Sequence, residues 1–187
     1  ALFACLLGVG WSVATFPIQP VLLGLFFTGY AALLWYRPQF LFIAIPAALA
    51  LFDLAPWSGR FYFDEFDLLL TISVVVGYIR LPSAPRKRKR DPLFFLISAL
   101  VSLAFAIATV RGLLPWQIPD ANSFTSYFSP YNAIRIAKGA AWTFLLLGLL
   151  NRMASTGQDV RRLFAWGMVV GLAGTVAVII WERVAFP

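Results

Sequence analysis

The chain has 187 residues, 61% of them hydrophobic and only 12% charged, with a mean hydropathy of +0.83 and a formal net charge of +7. A soluble domain carries about 45–50% apolar and about 25% charged residues, so a water-solvated globule is excluded and the rules of the bilayer apply. Histidine is absent and Cys5 is the only cysteine, which removes histidine acid–base chemistry, histidine ligation of zinc or haem, and an intrachain disulfide.

Ala1 to Phe16 is an apolar segment slightly short for a span, without the basic lead-in or small-residue cleavage site of a signal peptide. Pro17 and Pro20 make a tight turn into a second segment, Val21 to Tyr36. That segment closes on Trp35-Tyr36-Arg37-Pro38, an aromatic belt followed by a cation and a helix breaker, the pattern of a cytoplasmic helix end. Gln39 to about Leu54 is a third segment, with Pro46 inside it and Asp53 near its outer end. Pro56 to Asp67 reads as an outer loop, and Leu68 to Leu81, extended by Phe66 and Asp67, as a fourth segment.

Arg86, Lys87, Arg88, Lys89 and Arg90 follow, between Pro85 and Pro92. Basic residues in short loops resist translocation, so this loop is expected on the cytoplasmic side and orients every other segment by alternation. Five of the fifteen cations lie in it, so the net charge reads as topology and not as a nucleic-acid footprint. Leu93 to about Leu114 is the fifth segment and Trp116 to Pro130 an outer loop of turn formers and aromatics. Tyr131 to Leu150 is the sixth, Asn151 to Arg162 a polar inner loop, and Leu163 to Trp181 the seventh.

The expectation is an all-α bundle of about seven transmembrane helices in one domain, spanning roughly 1–16, 21–36, 39–54, 66–81, 93–114, 131–150 and 163–181, N-terminus inside and C-terminus outside. Alternation puts ten cations inside, namely Arg37, Arg80, the five of the basic loop, Arg152, Arg161 and Arg162. Five fall outside: Arg60, Arg111, Arg135, Lys138 and Arg183. The chain begins without a methionine and stops just past an apolar segment, so it is expected to be the N-terminal part of a longer protein.

Chemistry is expected on the outer side, where charges enter the apolar segments in company with aromatics. Tyr131, Arg135, Lys138 and Trp142 have helical offsets of 4, 7 and 11 and so share one stripe of the sixth segment. An ionised group at the depth of Lys138 costs about 2.5–3.5 kcal/mol unless it snorkels or is paired. Snorkelling is the plain reading; a cationic stripe for a phosphate or carboxylate is the functional one. Arg111 and Arg60 are further candidates, because the planar guanidinium fork suits diphosphate oxygens. Trp57 and Trp116 are candidates for stacking on a sugar, against the plain reading of an interfacial aromatic belt. Gly167 and Gly171 give a small-residue face suited to helix packing.

With these residues in view, the chain resembles the N-terminal membrane portion of the O-antigen ligase and polymerase family. The similar features are the closely spaced spans, the stretch Trp57-Ser58-Gly59-Arg60-Phe61 before a span, and the outer loop leading into Tyr131-Asn132-Ala133-Ile134-Arg135. The resemblance implies a metal-independent, cofactor-free bacterial inner-membrane enzyme acting on polyprenyl-diphosphate-linked glycans at the periplasmic face, with arginines neutralising the diphosphate. The family's large periplasmic loop has no counterpart here, so no catalytic residue is carried over. The rival expectation is a non-catalytic subunit of a larger membrane complex, in which Arg135 and Lys138 pair with acids on a neighbour. Under either reading the partners are the bilayer and a lipid-linked glycan or other membrane subunits, with no nucleic acid.

Overall fold

The computed structural model describes residues 10, 20–52, 63–82, 92–120, 123 and 128–185. Among them every regular element is helical: α1 (Pro20–Tyr36), a short 3-10 turn (Pro38–Phe40), α2 (Leu41–Phe52), α3 (Glu65–Arg80), α4 (Pro92–Gly112), α5 (Asn132–Ala154) and α6 (Val160–Ala185). The stretch read as a first span lies outside the described residues, Gly10 apart, as do Asp53, Trp57, Arg60 and the basic loop Arg86–Arg90.

Three helices, α4, α5 and α6, are long and apolar enough to cross a membrane. Their 21, 23 and 26 residues rise ~31, ~35 and ~39 Å, against a hydrocarbon core of about 30 Å. The expectation of about seven spans is met only this far. The described parts of α1, α2 and α3, at 17, 12 and 16 residues, rise ~25, ~18 and ~24 Å. Four hydroxyls on the long helices close on their own backbone. Ser102 donates to the Ser98 carbonyl (2.7 Å), Thr109 to Phe105 (2.7 Å), Thr143 to Gly139 (2.9 Å) and Thr175 to Gly171 (3.0 Å). Polar groups satisfied one turn back leave the helix surface compatible with lipid.

The chain divides into two compact units, Ala1–Ser83 with Leu149–Pro187, and Ala84–Gly148. In the first, helix directions can be read from paired contacts. Tyr30 meets Ser73 and Trp35 meets Arg80, so α1 and α3 run parallel. Gly77 lies against Leu149, and Arg152 reaches the Tyr78 and Leu81 carbonyls, so the end of α5 runs with α3. Gly167 faces Ile43 and Pro46, Gly171 faces Ala47 and Ala50, and Gly174 faces Leu51, so α6 runs parallel to α2. The small-residue face on α6 is therefore used inside the chain, where it lets α6 approach the backbone of α2.

Local sequence explains the ends of these helices. Asp64 is the N-cap of α3: its carboxylate accepts the Asp67 N–H (2.9 Å), and the Asp67 carboxylate accepts the Asp64 N–H in return (3.1 Å). At the other end, Arg80 donates to the Trp35 carbonyl (2.8 Å) with its guanidinium 5.1 Å from the centre of the Trp35 ring. Arg152 donates to the Tyr78 carbonyl (2.9 Å) and sits 4.5 Å from the centre of the Tyr78 ring. Cations on the last carbonyls of α1 and α3 satisfy acceptors that a helix end leaves over, and oppose its negative dipole end. Gly157, at φ +76°, turns the short link from α5 to α6, where the Asp159 carboxylate accepts the Arg162 N–H (3.2 Å).

Buried between α1 and α3, the Ser73 hydroxyl donates to the Leu69 carbonyl (2.7 Å), which leaves Tyr30 to donate to Ser73 (2.6 Å). Glu65 and Asp67, at the head of α3, are buried as well; the remaining buried side chains are apolar, with Leu34, Leu41, Leu68 and Leu149 fully enclosed. The unit is electrically lopsided. Arg37, Arg80, Arg152, Arg161 and Arg162 gather at the end where α1, α3 and α5 finish, and Asp64, Glu65 and Asp67 sit where α3 begins.

Candidate functional site

The second unit carries the candidate residues that the structure describes. Helix α4 is exposed along its whole length, with no buried residue, and brings Arg111 to its last turn. A Cβ on the next residue, Gly112, would stand 2.7 Å from the Ala133 Cβ. The end of α4 and the first turn of α5 are thus in direct contact, and glycine is the residue that permits it. Arg111 is thereby delivered to the head of the helix that carries the other candidates.

Between them the chain passes through Leu113 to Asp120, with Trp116 72% exposed. The Tyr131 hydroxyl donates to the Gln117 carbonyl, and Tyr131 itself is buried. Farther along, Ser123 closes a turn on Asp120: its hydroxyl accepts the Asp120 N–H (2.8 Å) and donates to the Asp120 carboxylate (2.6 Å). Tyr131 therefore ties the segment bearing Trp116 to the start of α5, and sequence reasoning, which took Tyr131 as an aromatic contact, missed that role.

On α5 the stripe has the expected form. Arg135, Lys138 and Trp142 are each half-buried, whereas Ile134 and Ile136, on either side of Arg135, are exposed. Helical offset thus groups the two cations and Trp142 on a less exposed face, with Ile134 and Ile136 on a more exposed one. The same stripe continues to Leu149 and Met153, both buried. Lys138 lies ~9 Å below the helix start, at ~1.5 Å per residue. None of Arg135, Lys138 and Trp142 is without an interaction partner.

One polar atom at this site is unaccounted for. The Asn132 Oδ1 is buried and accepts no hydrogen bond among the described residues. An unpaired buried acceptor costs about 1–3 kcal/mol, and nothing in the sequence marked Asn132 beyond its place next to Tyr131. Trp57 and Arg60 lie outside the described residues, so the site consists of Arg111, Trp116, Tyr131, Arg135, Lys138 and Trp142.

No protein-family model, curated protein or solved structure matches this chain. The site must be judged on its chemistry. Two guanidinium groups and one ammonium, at the head and on one face of an apolar helix, make a locus for an anion with several oxygens. Exposed Trp116 adds a flat apolar surface next to it.

Removal of the Tyr131 hydroxyl tests this architecture. Tyr131→Phe should raise amide exchange over residues 113–120 by about fivefold, the size expected of one hydrogen bond worth ~1 kcal/mol, and leave α3 unchanged. Unaltered exchange in that segment would mean that the Gln117 carbonyl does not hold it.

Proposed function

We propose that this chain is the membrane portion of an O-antigen ligase- or polymerase-like glycosyltransferase that acts on a polyprenyl-diphosphate-linked glycan at the periplasmic face of a bacterial inner membrane. The observation that carries the reading is the half-buried cationic stripe, Arg135 and Lys138, with Arg111 near its head. Half-buried cations on an otherwise apolar helix are costly to build, and they are the expected form of an anion site in a membrane protein.

In this reaction an acceptor hydroxyl attacks the anomeric carbon of the lipid-linked sugar. The carbon–oxygen bond to the diphosphate breaks, the lipid diphosphate departs with that electron pair, and the hydroxyl proton passes to a base. Arg111, Arg135 and Lys138 neutralise the charge that develops on the diphosphate, and Arg60 is assigned to the same task. Trp116 and Trp57 stack on sugar, while Tyr131 and Trp142 flank the cations.

The topology that goes with this reading is seven spans with the N-terminus cytoplasmic. Its support is the lopsided first unit: five arginines at the end where α1, α3 and α5 finish, against three acids where α3 begins. The positive-inside rule makes the arginine end cytoplasmic. In this proposal the head of the sixth segment, and with it the cationic stripe, faces the periplasm, as alternation from the basic loop requires.

Arg135→Ala and Lys138→Ala, made separately in the intact protein, should each lower polymer or ligation product by about 10²-fold, the usual loss when one group stabilising transition-state charge is removed. Protein level and insertion are measured alongside. Full product from both variants would sink the reading. So would an active species of 20.8 kDa found only in fixed stoichiometry with other membrane subunits. That outcome favours the accessory-subunit alternative, for which the exposure of α4 on every side is the supporting observation.

A further inference from the structure

The arginines at the cytoplasm-assigned end of the first unit are of two kinds. Arg80 and Arg152 are used as helix-end locks, each on a backbone carbonyl and an aromatic face. Arg37, Arg161 and Arg162 are exposed, and among the described residues their guanidinium groups have no hydrogen bond or ion pair. Ile43 opposite Gly167 and Ala47 opposite Gly171 share an offset of 124 residues between α2 and α6. Carried back to the start of both helices, that register sets Arg37 level with Arg161 to within about one helical turn. The one described acid at this end is Asp159, and its carboxylate already accepts the Arg162 N–H.

We propose that Arg37, Arg161 and Arg162 form a binding surface for the phosphate headgroup of an anionic phospholipid. Guanidinium forks match phosphate oxygens two at a time. Tyr36, Phe164 and Trp166, exposed by 78%, 49% and 53%, stand next to them on α1 and α6, at the level where aromatic rings meet headgroups. The exposed apolar surface continuing down α6, through Met168 and Leu172, is the path for the acyl chains. That continuity selects a lipid over a free phosphate ion, which would gain nothing from it. Topology alone needs only positive charge, which lysine supplies; a headgroup surface needs the arginine fork.

This difference makes the test. The full-length protein, purified in mild detergent, is offered vesicle lipid of phosphatidylglycerol and phosphatidylcholine in equal parts, and the lipid retained is counted by native mass spectrometry. The wild type should keep phosphatidylglycerol in preference. The triple variant R37K/R161K/R162K, which preserves charge and hence insertion, should lose most of that preference, because lysine offers a point charge where arginine offers a bidentate fork. R161Q/R162Q, read on correctly oriented molecules, should lose it as well. Equal retention of the two lipids, or undiminished retention in the lysine variant, overturns the proposal and leaves these arginines as topology signals. Displacement of the lipid by millimolar inorganic phosphate overturns it in favour of a free-anion site. K138Q should leave lipid retention unchanged whatever its effect on glycan transfer, so this surface and the proposed activity stand or fall separately.

Discussion

Gly167→Leu should destabilise the protein by about 3 kcal/mol, the upper part of the range for forcing a side chain into a filled interface. A Cβ at this position would run into the Ile43 carbonyl oxygen and the Pro46 ring, and would stand 3.0 Å from the Ile43 Cα. Two of those three obstacles are backbone, and the third is a ring fixed in α2, so no rotamer change relieves the clash. At Gly171 the nearest atoms are the Ala47 Cα and the Ala50 Cβ, both at 3.1 Å, so the same substitution there should cost less. Gly139 has nothing within 4 Å, and Gly139→Leu should stay within about 0.5 kcal/mol of wild type. Reversible unfolding in mixed micelles, followed by circular dichroism, gives the three values. The order Gly167, Gly171, Gly139 is the prediction; a flat series would mean that α2 and α6 do not pack as described.

A comparable loss, about 3 kcal/mol, is expected of Leu149→Ala, because the side chain is fully enclosed and its removal leaves a cavity. Its neighbour supplies a sharper test. A Cβ on Gly77 would sit 3.0 and 3.1 Å from the two Leu149 Cδ atoms and 3.2 Å from Leu41 Cδ2. Gly77→Ala alone should therefore overpack the site and cost about 1 kcal/mol. In Gly77→Ala/Leu149→Ala the new methyl enters the space that the leucine vacated, so the double variant should be about 1 kcal/mol more stable than the sum of the singles implies. Strict additivity would separate the two residues and undo the contact between α3 and α5.

The helices themselves were legible because each apolar run is bounded by residues with a stereochemical reason to stop or start one: Pro38 after α1, Asp64 before α3, Pro92 at the first turn of α4. Which helix packs on which was not. The spacing of Gly167 and Gly171 announced a close approach, but only the fold reveals that the partner carries Pro46. Hydropathy likewise marks a segment as apolar without fixing the length of its helix: the described parts of α1, α2 and α3 are shorter than α4, α5 and α6. For the candidate site, the shared face of Arg135, Lys138 and Trp142 followed from helical periodicity. The bond from Tyr131 to the Gln117 carbonyl did not, because every residue offers the same backbone acceptor and sequence does not rank them. Arg80 and Arg152 were read by charge alone, as topology signals; their position on neighbouring helix ends depends on contacts 45 and 74 residues apart in the chain.

The pairing of α2 with α6 has a consequence for how the protein is made. Phe52 and Val160 are separated by about a hundred residues, and a ribosome adding 5–20 residues per second needs about 5–20 s to supply them. Throughout that interval the notch formed by Ile43, Pro46 and Ala47 has no ridge to receive. The early helices therefore wait in a loosely joined state, and assembly of the first unit is completed only when α6 arrives. A pause or truncation before α6 would strand the earlier helices half-assembled, and quality control at the membrane would act on them there.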